Sequence, residues 1–506
     1  MSAPEPLWKP ALCWPGMQPK RDMCRSSYLL LPFRPYVTSL RRVGVLIRNG
    51  RVLLLPATGC FPLEQARFSD KDRMMKNGMV RSAAERQGEA DQRDRILEEA
   101  ESLFLKEGFD GTTIDMIVSR AHISKSDFYL HFQNRDDVFL AVARRLIVLS
   151  GRFLPIPDGP LFDQLAALGP LMRRGQVMQP GIGILRAAIV ANRFSSDVAR
   201  QVYLRRASQG DSLARLLMKT AEADGARFDD ASLCAYRFGA IVTDGLRHLA
   251  GLRMPGADDQ RAFGRYAAHI FLYGYAARED GSSRADIKEG GKHGWIAPQP
   301  VFPDLPPTRK SQESWNAVLD QAWSVFRQAG YDAASMDGIS DRAGLPKNTI
   351  YRRFGSKVGL FLFTARRRID MILAAPVELE KGALTGHEIL TGVMLDMQKR
   401  FCSEDCLALS RILIAGAGEH DVMTSTVCEY LVQQVIDKIL PIVLSLIRTG
   451  DLAIGVAPDL AAWHIFVLAT FGSRFLFIAP EGAEEQLALA SEAAEQFLFG
   501  IFRPPL

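Results

Sequence analysis

Residues 344–361, GLPKNTIYRRFGSKVGLF, gather Lys347, Asn348, Thr349, Tyr351, Arg352, Arg353 and Lys357 into one short run. Amide and hydroxyl side chains suit base edges, while guanidinium and ammonium groups suit backbone phosphates. A weaker copy of the run, HISKSDFYLHFQNRDDVFL, spans residues 122–140 and carries Ser124, Lys125, Ser126, Tyr129 and His131. This is recognition chemistry rather than catalysis. The chain has no GxSxG, no Walker-type phosphate loop, no HExxH and no strand-linked dinucleotide fingerprint, and its eight histidines do not cluster. No enzyme activity and no cofactor is expected.

A positively charged run can equally be a solvated helix face, so the elements around it must decide. In NAVLDQAWSVF, Val318, Leu319, Ala322 and Phe326 recur at helical spacing, and Gly330 stops that helix. Ser335 is a natural N-cap for MDGISDRA, whose Met336, Ile339 and Ala343 face inward. Gly344 ends this short helix, Leu345 packs beneath the turn, and Pro346 opens the next at a position where its missing N–H costs nothing. The second helix turns Ile350 and Phe354 inward and Lys347, Asn348, Thr349, Tyr351 and Arg353 outward. Arg352, Arg353 and Lys357 then lie along a DNA backbone. Two short helices joined by a tight turn containing glycine predict a helix-turn-helix.

An internal repeat settles the organisation. Residues 96–140 align with 318–362 without a gap, at 15 identities. Among them are Gly108 with Gly330, Lys125 with Lys347, Tyr129 with Tyr351 and Phe139 with Phe361. The chain therefore holds two copies of one unit of roughly 200 residues, too long a period for a solenoid.

The matched positions resemble the tetracycline-repressor-like (TetR) transcriptional regulators. The first copy supplies Ala100, Phe104, Gly108-Phe109, Thr113, Ile117, Ala121, Tyr129, Phe132, Arg135 and Phe139. The second supplies Ala322, Phe326, Gly330-Tyr331, Ser335, Ile339, Ala343-Gly344, Tyr351, Phe354, Lys357 and Phe361. The resemblance is specific over the head of each copy and loose beyond it. It implies an all-α fold with two units, each a three-helix DNA-binding head on a larger helical body that binds a small effector and dimerises. Such proteins are usually homodimers, so two units in one chain depart from that plan.

The expected layout is a poorly ordered basic segment (1–85), a first head (89–149, helix-turn-helix 112–131) and a first body (150–278). A Gly- and Pro-rich linker (279–310), a second head (311–371, helix-turn-helix 334–353) and a second body (372–503) follow. The methionines at 74, 75 and 79 are plausible alternative starts. Tyr430–Leu452 and Leu460–Ile478 are long and apolar enough to form an interface, with residues 236–252 and 263–276 as first-copy counterparts. Effector candidates are the polar groups on apolar helices: Tyr236, His248, Tyr273, Trp463, His464 and Arg474. Each has the alternative of being a satisfied core residue.

The heads are unequal. Residues 311–373 carry 9 Lys/Arg against 6 Asp/Glu, whereas residues 89–151 carry 8 against 12. Leu130 stands where the second copy has Arg352, Asp127 where it has Thr349, and His122 replaces the turn glycine. Every phosphate contact that is missing lowers affinity and flattens the salt dependence. The second head is expected to bind DNA more strongly; two readings of the first remain, a weaker DNA contact or a half that mainly completes the body. The 32-residue linker spans roughly 30 Å as a flexible chain, near the ~34 Å between half-sites. One chain can thus fold back as its own pseudo-dimer on an asymmetric operator; the competing arrangement is a homodimer pairing like copies.

Charge itself does not argue for nucleic acid, because the net +5 comes from residues 1–88, with 15 Lys/Arg against 6 Asp/Glu. Seven cysteines at irregular spacing suggest no disulfide framework and fit a reducing cytoplasm. Cys402 and Cys406 have no histidine at ligand spacing, so no metal site is expected there. In Ser27–Pro56 the apolar runs are broken by prolines and arginines, with RNGR (48–51) a candidate hairpin turn. His464 and Arg474 mark Leu460–Ala479 as a buried protein helix, and no membrane association is expected.

Overall fold

The computed structural model describes residues 43–48, 51–56 and, with interruptions of which the longest is 278–299, residues 83–501. The chain divides into two compact units, Met1–Arg81 and Ser82–Leu506. In the first, strands β1 (Val43–Arg48) and β2 (Arg51–Pro56) pair antiparallel with Arg48 opposite Arg51. This is the hairpin predicted around RNGR, and it lies within the segment expected to lack order.

Every named element of the second unit is helical. The first head consists of α1 (Ala83–Gly111), α2 (Ile114–Arg120) and α3 (Lys125–His131). Helix α1 begins earlier than the apolar periodicity suggests, since Ala83-Ala84-Glu85-Arg86-Gln87 are strong helix formers by composition. The body follows as α4 (Arg135–Gly151), α5 (Leu161–Val177), α6 (Gly181–Ala191), α7 (Ser196–Ala207), α8 (Asp211–Asp224), α9 (Ala231–Thr243) and α10 (Ala257–Tyr273).

The second copy repeats the plan. Its head is α11 (Gln312–Ala333), α12 (Met336–Ala343) and α13 (Lys347–Phe354). Its body is α14 (Lys357–Leu373), α15 (Gly386–Phe401), α16 (Glu404–Ala415), α17 (Asp421–Thr449), α18 (Pro458–Ala469), α19 (Arg474–Phe477) and α20 (Ala483–Phe499). Helix α17 is continuous over 29 residues where the first copy has the separate helices α7 and α8.

The repeat extends into the cores. Gly108 and Gly330 break α1 and α11 at matching places, with φ of 71° and 80°. Phe104, Phe109 and Phe139 form an aromatic trio with centroids 6.1, 4.9 and 5.1 Å apart. Phe326, Tyr331 and Phe361 reproduce it at 6.0, 5.1 and 5.3 Å. Five of the six rings are fully buried and Tyr331 nearly so. Each trio welds its head to the helix leading into the body.

The two copies meet along α9 and α10 of the first and α18 and α20 of the second, with α6 against α16 closer to the heads. At one end the contact is reciprocal: Tyr275 N–H donates to the Phe497 carbonyl (2.9 Å) and Ile501 N–H to the Phe271 carbonyl (3.0 Å). Gly274 and Gly500 make this approach possible. Both have positive φ, and a Cβ on either would lie 2.3–2.4 Å from the other copy's backbone. Of the stretches expected to form an interface, α9, α10 and α18 lie on this seam. Helix α17 packs on α14, α16 and α18 of its own copy, and the seam's second member is α20. Length and apolarity flag a helix as packed but do not say against what.

The Leu460–Ala479 stretch breaks at Thr470–Gly472 into α18 and α19. Among the described residues two helical stretches, α17 and Pro458–Phe477, are long and apolar enough to cross a membrane by composition; the apolar window of the latter is 94% buried inside the protein. The end of the linker also packs: Phe302 contacts Phe363 and Tyr430, with centroids 5.8 and 5.2 Å apart. Residues 278–299 lie outside the described residues.

Candidate nucleic-acid interface

In the second head, Ser335 Oγ accepts the Gly338 N–H at 2.9 Å and starts α12. Gly344 ends it in the left-handed region at φ 61°, and Ser340 Oγ donates to the Leu345 carbonyl at 2.6 Å. Pro346 caps α13, which begins at Lys347 and buries Ile350 and Phe354. Asn348 and Arg352 are exposed on the opposite face, with Lys347, Thr349 and Tyr351 half-buried beside them. A short amphipathic helix thus presents an amide, a hydroxyl, a phenol, an ammonium and a guanidinium together.

Both reading helices are tied to the preceding helix by an equivalent ion pair. Lys347 Nζ lies 2.9 Å from Asp337 Oδ1, and Lys125 Nζ 2.6 Å from Asp115 Oδ1. Hydrogen bonding to the aspartate raises each lysine's pKa, so both stay charged.

Three expected contacts turn away from this face. Arg353 Nη1 donates to the Pro306 carbonyl of the linker, with the guanidinium 5.6 Å from the Trp315 ring. Lys357 Nζ donates to the Asp332 carbonyl at 2.9 Å and sits 4.7 Å over the Tyr331 ring, where burial lowers its pKa. Its counterpart Arg135 likewise sits 4.1 Å over Phe109 and reaches the Thr112 carbonyl. His131 Nε2 lies 3.0 Å from Gln92 Oε1 on α1. Outward position on a short helix does not fix where a long side chain ends, and here carbonyls and ring faces of the same head and of the linker end are within reach.

The first head is built to the same plan with a different start. Thr113 Oγ1 accepts the Met116 N–H at 3.2 Å as the cap of α2. His122 takes the left-handed turn position at φ 53°. Ser124 Oγ accepts the Asp127 N–H, and Asp127 Oδ2 accepts the Ser124 N–H at 3.0 Å and its hydroxyl at 2.7 Å. Those bonds hold the Asp127 carboxyl below its usual range. A carboxylate therefore sits at the start of α3 where the second head has Thr349. Lys125, Ser126, Tyr129 and Leu130 are exposed, Leu130 at 79%.

Two of the effector candidates fall at the seam between copies. Tyr236 Oη donates to the Phe471 carbonyl at 3.1 Å. His464 Nδ1 lies 3.1 Å from Tyr266 Oη and 2.9 Å from Tyr275 Oη, all three buried. Burial drives the imidazole down to about 3 and raises both phenols, so the ring is neutral. Trp463 is buried against Phe466, and Arg474 pairs with Glu485 at 2.9 Å. Tyr273 is half-buried beside His269. His248 lies outside the described residues. None of the described candidates lines either of two cavities. One, of about 1150 Å³, opens between the heads beside Gly108, Phe109, Gly330 and Tyr331. The other, of about 540 Å³, lies between α4 and α7 beside Leu140, Ile147, Val202, Arg144 and Gln201.

Sequence reasoning also missed a joint between the second head and its body. His420, at the start of α17, places Nε2 2.8 Å from Asp332 Oδ1, with its ring 4.9 Å from Tyr331. With Glu419 these groups bring one potential metal-ligating atom each within 4.8 Å of one another. Asp332 lies near the end of α11, the first helix of the head, and His420 caps a helix of the body, so no local spacing links them. Burial raises the Cys402 and Cys406 thiols, the latter to about 12.

The profile of bacterial regulatory proteins of the TetR family matches the chain twice, at residues 96–142 and 318–362. Over 57 residues the chain is 42% identical to the HTH-type transcriptional activator FasR of Mycolicibacterium smegmatis, covering 11% of this chain and 26% of that protein. It is 36% identical over 47 residues to the IcaR negative transcriptional regulator of the biofilm operon in Staphylococcus epidermidis, covering 9% and 25%. The chain spans about a quarter of the length of these relatives. A solved TetR-family regulator from Mesorhizobium loti aligns over 36% of this chain and 96% of its own, at 16% identity and a TM-score of 0.30.

Proposed function

The chain belongs to the TetR family as a tandem protein with two TetR-type heads, and from that premise we propose that it is a cytoplasmic, sequence-specific regulator of transcription. It reads double-stranded DNA with both heads in one chain. The observation that carries this reading is the outer face of α13, where Asn348, Thr349, Tyr351 and Arg352 stand together on a capped, packed helix. Asn348 and Arg352 supply base-edge recognition, and Lys347 and Tyr351 supply phosphate contacts. Ser335 and Thr113 place the start of the preceding helix against the backbone. Arg353 and Lys357 hold the second head's geometry and reach phosphate only by leaving their internal partners.

The first head reads more weakly. Its Asp127 carboxylate occupies the helix start, and Leu130 replaces the guanidinium of Arg352. Lys125, Ser126 and Tyr129 remain available, so the operator is asymmetric. A first head that serves only to complete the body is favoured by the same Asp127 carboxylate, and the experiment separates the two. A small apolar effector with an acidic group suits the cavity between α4 and α7, whose apolar wall carries Arg144. Its binding releases the DNA, making repression the default action.

Selection of DNA from a random pool, followed by the mass of the bound complex, tests the proposal. One chain on an asymmetric site supports it. Two chains on a palindrome, unchanged by Lys125→Ala and Tyr129→Ala, would leave the second head as the only reader.

A further inference from the structure

The seam between the copies is pseudo-symmetric in shape and opposite in chemistry at two matched places. Helices α10 and α20 are equal in length, so Ala257 registers with Ala483 and Tyr273 with Phe499, and the reciprocal bonds beside Gly274 and Gly500 keep the same register. Tyr266 on α10 is thus matched by Glu492 on α20. On the facing helices, alignment of the first residues of α9 and α18, Ala231 and Pro458, matches Arg237 with His464. A twofold seam brings each matched pair to the same kind of neighbour. At one place Tyr266 meets His464, joined by Tyr275. At the other Arg237 Nη2 meets Glu492 Oε2 at 2.8 Å, with the arginine side chain 8% exposed.

Like pairing destroys both contacts. Two first copies would set Arg237 opposite Tyr266, twice, leaving a buried guanidinium without its carboxylate. Two second copies would set Glu492 opposite His464, twice, and would lose the Tyr266 and Tyr275 hydroxyls that His464 meets here. Tyr275, the third member of the buried polar group, has Ile501 at its matched position. We propose that this seam is coded for unlike copies: the first body accepts the second and rejects a second copy of itself. The code lies in Arg237–Glu492 at one place and Tyr266–His464–Tyr275 at the other. Specificity of this kind needs a penalty on the wrong partner as well as a contact with the right one. The inference is independent of DNA binding by either head, since none of these residues lies in one.

The test is a charge-swap cycle on the full chain, read by thermal unfolding and light scattering. Arg237→Glu and Glu492→Arg each place like charges together and should each lower the unfolding midpoint by about 2–4 °C. The double swap restores an opposite pair across an unlike seam, and recovery of at least half the loss is expected. Light scattering of the unmodified chain should give the mass of one chain. In a like-paired protein the two residues face different partners, so their effects would simply add; additive losses overturn the proposal whatever the mass. A two-chain mass with recovery would still mean unlike pairing, exchanged between chains. DNA selection can fail without altering these readouts, and the reverse also holds.

Discussion

The two heads share a scaffold and differ in what they offer to a partner. Their aromatic trios agree closely in every centroid distance and in the order of stacked and edge-on contacts. Their lysine–aspartate ties fall at equivalent positions, and a cation braces the ring after the kink glycine in each. The reading faces diverge instead. One begins with a carboxylate and exposes a leucine, and the other begins with proline and exposes an arginine. Packing constrains the buried positions alike in both copies, whereas the outer face answers only to what it touches.

The largest expected effect probes the shared part. Phe139→Ala and Phe361→Ala each remove a fully buried ring and should each cost about 3–5 kcal/mol. Chemical denaturation of the whole chain reads both, and a difference of more than about 2 kcal/mol between them would break the claim of equal scaffolds.

Next comes the unshared part. Arg352→Ala should cost about 1–3 kcal/mol of operator affinity, while Leu130→Ala at the matched position should leave affinity within about twofold. Binding titrations at two salt concentrations separate a base contact from a phosphate contact, since removing the latter flattens the salt slope by about 0.9. Equal effects at the two positions would make the heads equivalent readers. A smaller gain is expected from Asp127→Thr, which copies the second head's residue into the first. Removal of the carboxylate should steepen the salt slope and tighten operator binding, and unchanged binding would mean the first head does not touch DNA.

The smallest effect concerns pH. The Asp127 carboxyl is held below its ordinary value of 3.8 by the Ser124 bonds. Its support for the start of α3 is therefore full above that value and is lost as pH falls through the lower folded value. Amide exchange at the start of α3 should rise below about pH 4, with no matching rise at the start of α13, where Pro346 provides no side-chain cap.

Much of this was legible in the sequence because heads are local. Cap, turn glycine, apolar spacing and the internal repeat all act within a single head, and even His122 at positive φ follows from its alignment with Gly344. The ends of long side chains were not legible: Arg353 and Lys357 point where carbonyls from elsewhere in the chain happen to lie. Sequence reasoning names α9, α10 and α18 of the seam but offers α17 in place of α20, since both are apolar and only packing separates them. It does not single out Tyr266 and Tyr275 either, because their partner His464 belongs to the other copy. Tyr236 and His464, candidates for effector binding by their polarity on apolar helices, both lie at that same seam.

The joining of the copies in one chain changes how the seam responds to mutation. In a dimer of identical subunits every substitution appears on both sides of the axis, so a damaging change is suffered twice. Here Arg237, Glu492, Tyr266 and His464 are each encoded once. One half of the seam can be altered while the other holds the copies together, and the tether keeps the loosened half at a high effective concentration. Drift between the halves is thereby tolerated in single steps, and the reading faces are free to follow different DNA sequences.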